Sequence, residues 1–129
     1  MKKTMFSVAA IAATLLFAQT AMAGCDSSWT NSGQLYPGSD PVVYYLIPAK
    51  AGTHAVKYHD SVNVGGTKVT FSWSNNSGAS WNFITENEVT TSEQTQSLYA
   101  GSSNIIFKFM YENNSAYDVE TFSFKRCIN

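Results

Sequence analysis

Charge is scarce in this chain. Eight basic and nine acidic side chains in 129 residues leave a formal net charge of −1, and no basic cluster stands anywhere along the sequence. Binding a polyanion takes clustered Lys and Arg, so nucleic acid is excluded as a partner. Histidine is nearly missing too. His54 and His59 are the only two, and their odd spacing on one strand-like run turns them to opposite sides. No Ser-His-Asp or Cys-His set assembles around them, so no catalytic residue is assigned and the chain is expected not to be an enzyme. Glu86 and Glu88 have the strand spacing of a glycosidase pair, but residues 86–96 (ENEVTTSEQTQ) are polar, Thr-rich and read as a loop or a poor strand of solvated charges. Asp26, Asp40, Asp60 and Asp118 are too scattered to suggest a calcium site. Neither a metal nor a cofactor is expected.

Long apolar runs are limited to one. Residues 6–18 (FSVAAIAATLLFA) carry no charge, follow the positive start Met1-Lys2-Lys3, and precede Ala21-Met22-Ala23, a small-x-small cleavage pattern. That is the layout of an export signal, residues 1–23, with cutting expected before Gly24. The run is too short to span a bilayer alone. The expected working protein is therefore residues 24–129, one domain, placed in the periplasm or outside the cell. It keeps six basic against nine acidic side chains, a net charge of −3. The lysine start has a bacterial character, so the two N-x-S triplets beginning at Asn75 and Asn113 carry no glycosylation meaning.

Cysteine occurs twice, as Cys25 and Cys127. An even count in an exported chain predicts a disulfide. Here it would close nearly the whole domain and set the first and last segments side by side. A competing reading takes Met22-Ala23-Gly24-Cys25 as a loose lipobox, with Cys25 lipid-modified. Lipoboxes usually have Leu where Met22 stands, and polar Gln19-Thr20 interrupt the apolar core.

Helical periodicity is absent from residues 24–129. Short runs between turn residues take its place. After a Ser/Gly/Asn/Pro-rich arm (26–41), strands are predicted at 42–47 (VVYYLI), 53–59 (THAVKYH), 68–74 (KVTFSWS), 80–84 (SWNFI), 97–100, 104–111 (NIIFKFMY) and 119–126 (VETFSFKR). In the third, Val69, Phe71 and Trp73 share a face. Ile105, Phe107, Phe109 and Tyr111 share another, with Lys108 opposite, and Phe122 and Phe124 face one way. Seven or eight strands argue for an all-β antiparallel sandwich, jelly-roll-like.

The densest local pattern is Phe71 to Phe83, FSWSNNSGASWNF. Its SNNSGASW core resembles an Asp-box, the S-x-D-x-G-x-x-W hairpin of sialidases and related secreted proteins, with Asn76 where that family prefers Asp. The YAGSSNIIF stretch at 99–107 resembles a strand of galactose-binding-like carbohydrate modules. Together these resemblances imply a jelly-roll fold and a carbohydrate-binding role. The hairpin also has a local mechanical logic. Ser74 or Asn76 can bond the turn amides, Gly78 permits the reversal, and Trp81 folds over the turn.

A pyranose offers an apolar C–H face ringed by hydroxyls, so a glycan site needs a flat aromatic with planar polar groups beside it. Trp29 sits in a polar arm (DSSWTNSG), and Tyr36 and Tyr45 are further candidates. Tyr44 and Tyr45 are adjacent on a strand, so one belongs to the core and the other outside. Asn82 and Asn113 are the amide candidates. The bland reading of Trp29 makes it an anchor for the arm. The expected function is a non-enzymatic binding module for a glycan or cell-surface ligand. The alternatives are a small secreted effector (a membrane-active toxin or an enzyme inhibitor) and a structural envelope subunit. Membrane contact belongs to the toxin alternative alone.

Overall fold

The computed structural model describes residues 24–63 and 65–129; the expected export signal, residues 1–23, lies outside the described residues. Eight strands follow in order: β1 (Thr30–Asn31), β2 (Val42–Leu46), β3 (Gly52–Asp60), β4 (Lys68–Ser74), β5 (Asn82–Glu88), β6 (Gln94–Ala100), β7 (Ile106–Glu112) and β8 (Phe122–Cys127). They form two four-stranded antiparallel sheets, ordered β1-β8-β3-β6 and β2-β7-β4-β5. The pairs β1/β8, β2/β7, β3/β6 and β4/β5 are all hydrogen-bonded. The chain is thus one long hairpin with its closed end at β4–β5, wound so that successive pairs alternate between the sheets. That is a jelly roll.

Alternation builds the core. Val69, Phe71, Phe107, Phe109 and Tyr111 of one sheet meet Val56, Tyr58, Leu98, Phe122 and Phe124 of the other, all buried. Phe71 stacks on Phe109 at 5.8 Å and Tyr111 on Phe122 at 4.7 Å between ring centroids. Tyr44 turns inward, 4.4 Å from Phe124, while its neighbour Tyr45 is half exposed. Cys25 and Cys127 are cross-strand partners joined by a disulfide. The bond occupies the Cys25 thiol in this fold.

Residues 86–96, read as a loop or a poor strand, are about half strand. β5 continues to Glu88 and β6 begins at Gln94, leaving residues 89–93 as the connection. The apolar alternation that normally marks a strand is missing because two inward positions are amides. Asn87 Nδ2 donates to Tyr58 Oη at 3.0 Å and to Gln96 Oε1 at 2.9 Å, tying the two sheets together where β5 and β6 are joined. Glu86 stands on β5 and pairs with Lys68 at 2.6 Å. Further along, the β4–β5 register shifts between Phe71 and Ser72. Phe71 lies opposite Thr85 and Ser72 opposite Phe83, so Ile84 is an extra residue in a two-against-one bulge.

One polar cluster is buried among these rings. Tyr111 Oη lies 2.8 Å from Asp60 Oδ2 and 2.7 Å from Glu120 Oε1, and all three residues are essentially solvent-free. A phenol has one proton. It donates to one carboxylate, and at the other it must accept, which requires that carboxyl to be protonated. Burial first, then the hydrogen bond with Glu120, pushes the Asp60 carboxyl up to about 8. Burial likewise raises Tyr111, with the Glu120 contact adding to it. Glu120 also bridges backbone to backbone with Leu35, so the cluster holds the N-terminal arm to the entry of β8.

Candidate functional site

The five residues expected to bind a ligand do not assemble into one site. Trp29 lies on the outer face of the β1-β8-β3-β6 sheet, half-buried. Its ring meets His59 edge-on at 4.6 Å, and Lys125 Nζ stands 5.0 Å from its centroid. It therefore anchors the arm. Tyr36 is 58% exposed in the arm, its hydroxyl donating to Gln34 Oε1 at 3.3 Å. Asn82 begins β5, exposed, with Nδ2 donating to the Trp73 carbonyl at 3.4 Å.

Asn113 requires a correction. It is 5% exposed, and its amide is committed: Nδ2 donates to the Leu35 and Asp118 carbonyls at 2.8 and 3.1 Å, and Oδ1 accepts from Ser115 N at 2.9 Å. It is an internal brace between the arm and the β7–β8 loop. The sequence hid this because an Asn beside Asn114 and Ser115 looks like any exposed turn. Asn113→Ala is expected to cost about 2 kcal/mol by leaving those backbone groups unpaired, read as a lower urea midpoint.

Tyr45 sits in richer company. On the outer face of the β2-β7-β4-β5 sheet, Tyr45 pairs with Lys108, Lys108 with Ser72, and Ser72 with Phe83. These four residues form a single row across the sheet, roughly 14 Å from end to end at the usual inter-strand spacing. Tyr45 is 50% exposed and Phe83 67%. Trp81 leans over this row, 6.0 Å from the Tyr45 ring, with Lys108 Nζ 4.5 Å from its own centroid. Among the described residues Lys108 makes no ion pair. A cleft of about 240 Å³ lies beside the Tyr45 end, lined by Tyr45, Ile47, Ser77, Gly78, Trp81 and Ile106.

The β4–β5 turn fixes Trp81. Ser74 Oγ accepts from the Asn76 and Gly78 amides at 3.2 and 3.0 Å, and donates to Asn76 Oδ1 at 2.7 Å. Asn76 Oδ1 also accepts from Ser80 N at 3.1 Å. Gly78 has φ of +87°, and a Cβ there would come within 3.2 Å of the Trp81 ring. The turn thus works by the mechanics expected from its residues. Sequence reasoning treated Trp81 only as that turn's cover, and overlooked Phe83 and Lys108. The signal was present: Trp81 and Phe83 alternate in SWNF, and Lys108 is the charged residue opposite the apolar face of β7.

Chemically the row offers two accessible rings and a single cation, with Ser72 buried between Lys108 and Phe83. It contains no acid and no histidine, and among the described residues no group of three or more His, Cys, Asp or Glu is placed to hold a metal. It is a surface suited to stacking and hydrogen bonding.

No family model matches the sequence, and no curated protein matches it. Among solved structures, the fold is similar to the crystal structure of the Yersinia pseudotuberculosis-derived mitogen (YPM), with a TM-score of 0.55. The match covers 79% of this chain and 86% of that one at 16% sequence identity. At that identity the likeness concerns the fold alone.

Proposed function

We propose that the protein is an exported, non-enzymatic recognition module that binds an extended glycan along the Tyr45–Lys108–Ser72–Phe83 row. The observation that carries this reading is the spacing of rings across one outer sheet face, with Trp81 walling one end. Aromatic faces stack on the C–H face of a sugar, while the Lys108 ammonium and the Tyr45 hydroxyl supply polar partners. A four-strand row suits several sugar units better than one. The disulfide fits export to an oxidising compartment.

The test is a glycan array followed by titration of the best hit. Tyr45→Ala and Phe83→Ala are each expected to weaken binding about tenfold, a change of ~1.4 kcal/mol. Trp29→Ala, on the opposite face, leaves binding unchanged. An array blank for folded wild type sinks the reading, and loss confined to Trp29→Ala moves the site to the other sheet.

The fold likeness to a protein described as a mitogen favours a second reading: a small secreted effector whose target is a cell-surface protein. Binding to intact cells that survives enzymatic removal of their glycans, and is lost on surface proteolysis, would select it.

A further inference from the structure

The two sheets are closed at one end of their β5/β6 side by the Asn87 amide bridge and part at the other. Sheets that twist in the same sense diverge with distance from the connection that joins them. The gap that results is a cavity of about 510 Å³, within the range of small-molecule sites. Its floor is Leu98 and Phe107, both buried. Its walls include the half-buried Trp73, Ile84 and Ile105. Ile84 lines it because of the bulge: without the extra residue, β5 would alternate straight through this level. The polar side chains Asn75 and Ser97 are exposed and so stand at the rim, and among the described residues no charged one lines the cavity.

We infer that this cavity between the sheets, walled by Trp73, Ile84 and Ile105 and rimmed by Asn75 and Ser97, binds an uncharged amphiphile. The apolar body of such a ligand fills the interior, and its hydroxyl or carbonyl stays at the mouth. A charged head group finds no counter-charge among the lining residues, and the net charge of −3 on residues 24–129 adds a general disfavour for anions. The site is separate from the aromatic row, which lies on the outer surface of one sheet.

Titration of the disulfide-bonded protein with 1-decanol, followed by tryptophan fluorescence and thermal melting, tests the assignment. Saturable binding is expected, with a fluorescence change that vanishes in Trp73→Phe and a rise in melting temperature that persists there. Ile105→Trp, which fills the cavity from its wall, is expected to weaken binding at least tenfold. Ile84→Trp fills it from the other side and serves if the first variant misfolds. Decanoate is expected to bind at least fivefold more weakly than decanol, and Tyr45→Ala to leave decanol binding unchanged. Non-saturable uptake, or equal affinity in a folded filled variant, overturns the cavity as a site. Decanoate binding as tightly as decanol overturns the uncharged ligand class.

Discussion

A Cys25→Ser, Cys127→Ser double variant is expected to lose about 4–5 kcal/mol of folding stability, the entropic contribution of closing a loop of about 100 residues. The linked positions are 102 apart in sequence, so in the unfolded chain the bond restrains almost everything. For a domain near this size, that loss corresponds to a fall in melting temperature on the order of 20–30 °C. The local effect compounds the global one. β1 has two residues, and its neighbour Asp26 holds Arg126 through a backbone pair at 2.8 Å and a side-chain contact at 3.3 Å. Further along, the arm is held by Trp29 on His59, the Ser32–Phe122 and Leu35–Glu120 backbone bonds and the Asn113 brace, so the loosening is expected at the end beside Cys25. Urea unfolding of oxidised wild type against the double variant measures the difference. Coincident midpoints would show that the link constrains nothing.

The second large effect is a loss of stability on the alkaline side. Unfolded, the Asp60 carboxyl titrates near 3.8; in the fold it titrates near 8, because burial penalises its charge and Glu120 shares its hydrogen bonding. Between those values the folded protein holds a proton that the unfolded chain has released. The contribution is therefore fully present below about pH 4, declines as pH rises, and is gone above about pH 8. Four units of separation correspond to several kcal/mol, on the order of 5. Melting temperature should fall from about pH 4 to about pH 8 in wild type and level off above that. Glu120→Gln removes one of the two facing carboxyls and leaves a side chain that can still bond Tyr111. Its profile should slope less steeply than wild type but not be flat, because burial, the larger cause, still raises Asp60. A variant that keeps the wild-type slope would remove the carboxyl pair as the cause.

The strands legible in the sequence were those whose inward positions are apolar. β4 and β7 alternate without interruption, and their faces can be assigned residue by residue. β5 and β6 were blurred because Asn87 and Gln96 occupy inward positions as a hydrogen-bonded pair, a solution that periodicity cannot distinguish from a solvated loop. The closing disulfide followed from composition and compartment alone. Of the proposed row only part is legible in the sequence: the strand position of Tyr45 beside Tyr44 puts one of the two outside, but its neighbours come from β7, β4 and β5, distant in sequence, and only strand order brings them together. Asn113 misleads for the same reason: it sits in a polar stretch, and the Leu35 carbonyl that engages it lies far along the chain.

The bulge in β5 has a reach beyond the residue it inserts. Phe83 and Ile84 are consecutive, yet one lies on the outside of the sandwich and the other lines its interior. One peptide unit is thus the partition between the two surfaces proposed above as binding sites, which differ in chemistry. If both proposed sites are occupied, a guest pressing on Ile84 from within would push on the backbone that carries Phe83. Two ligands that never meet would in this way feel each other through a single amide plane.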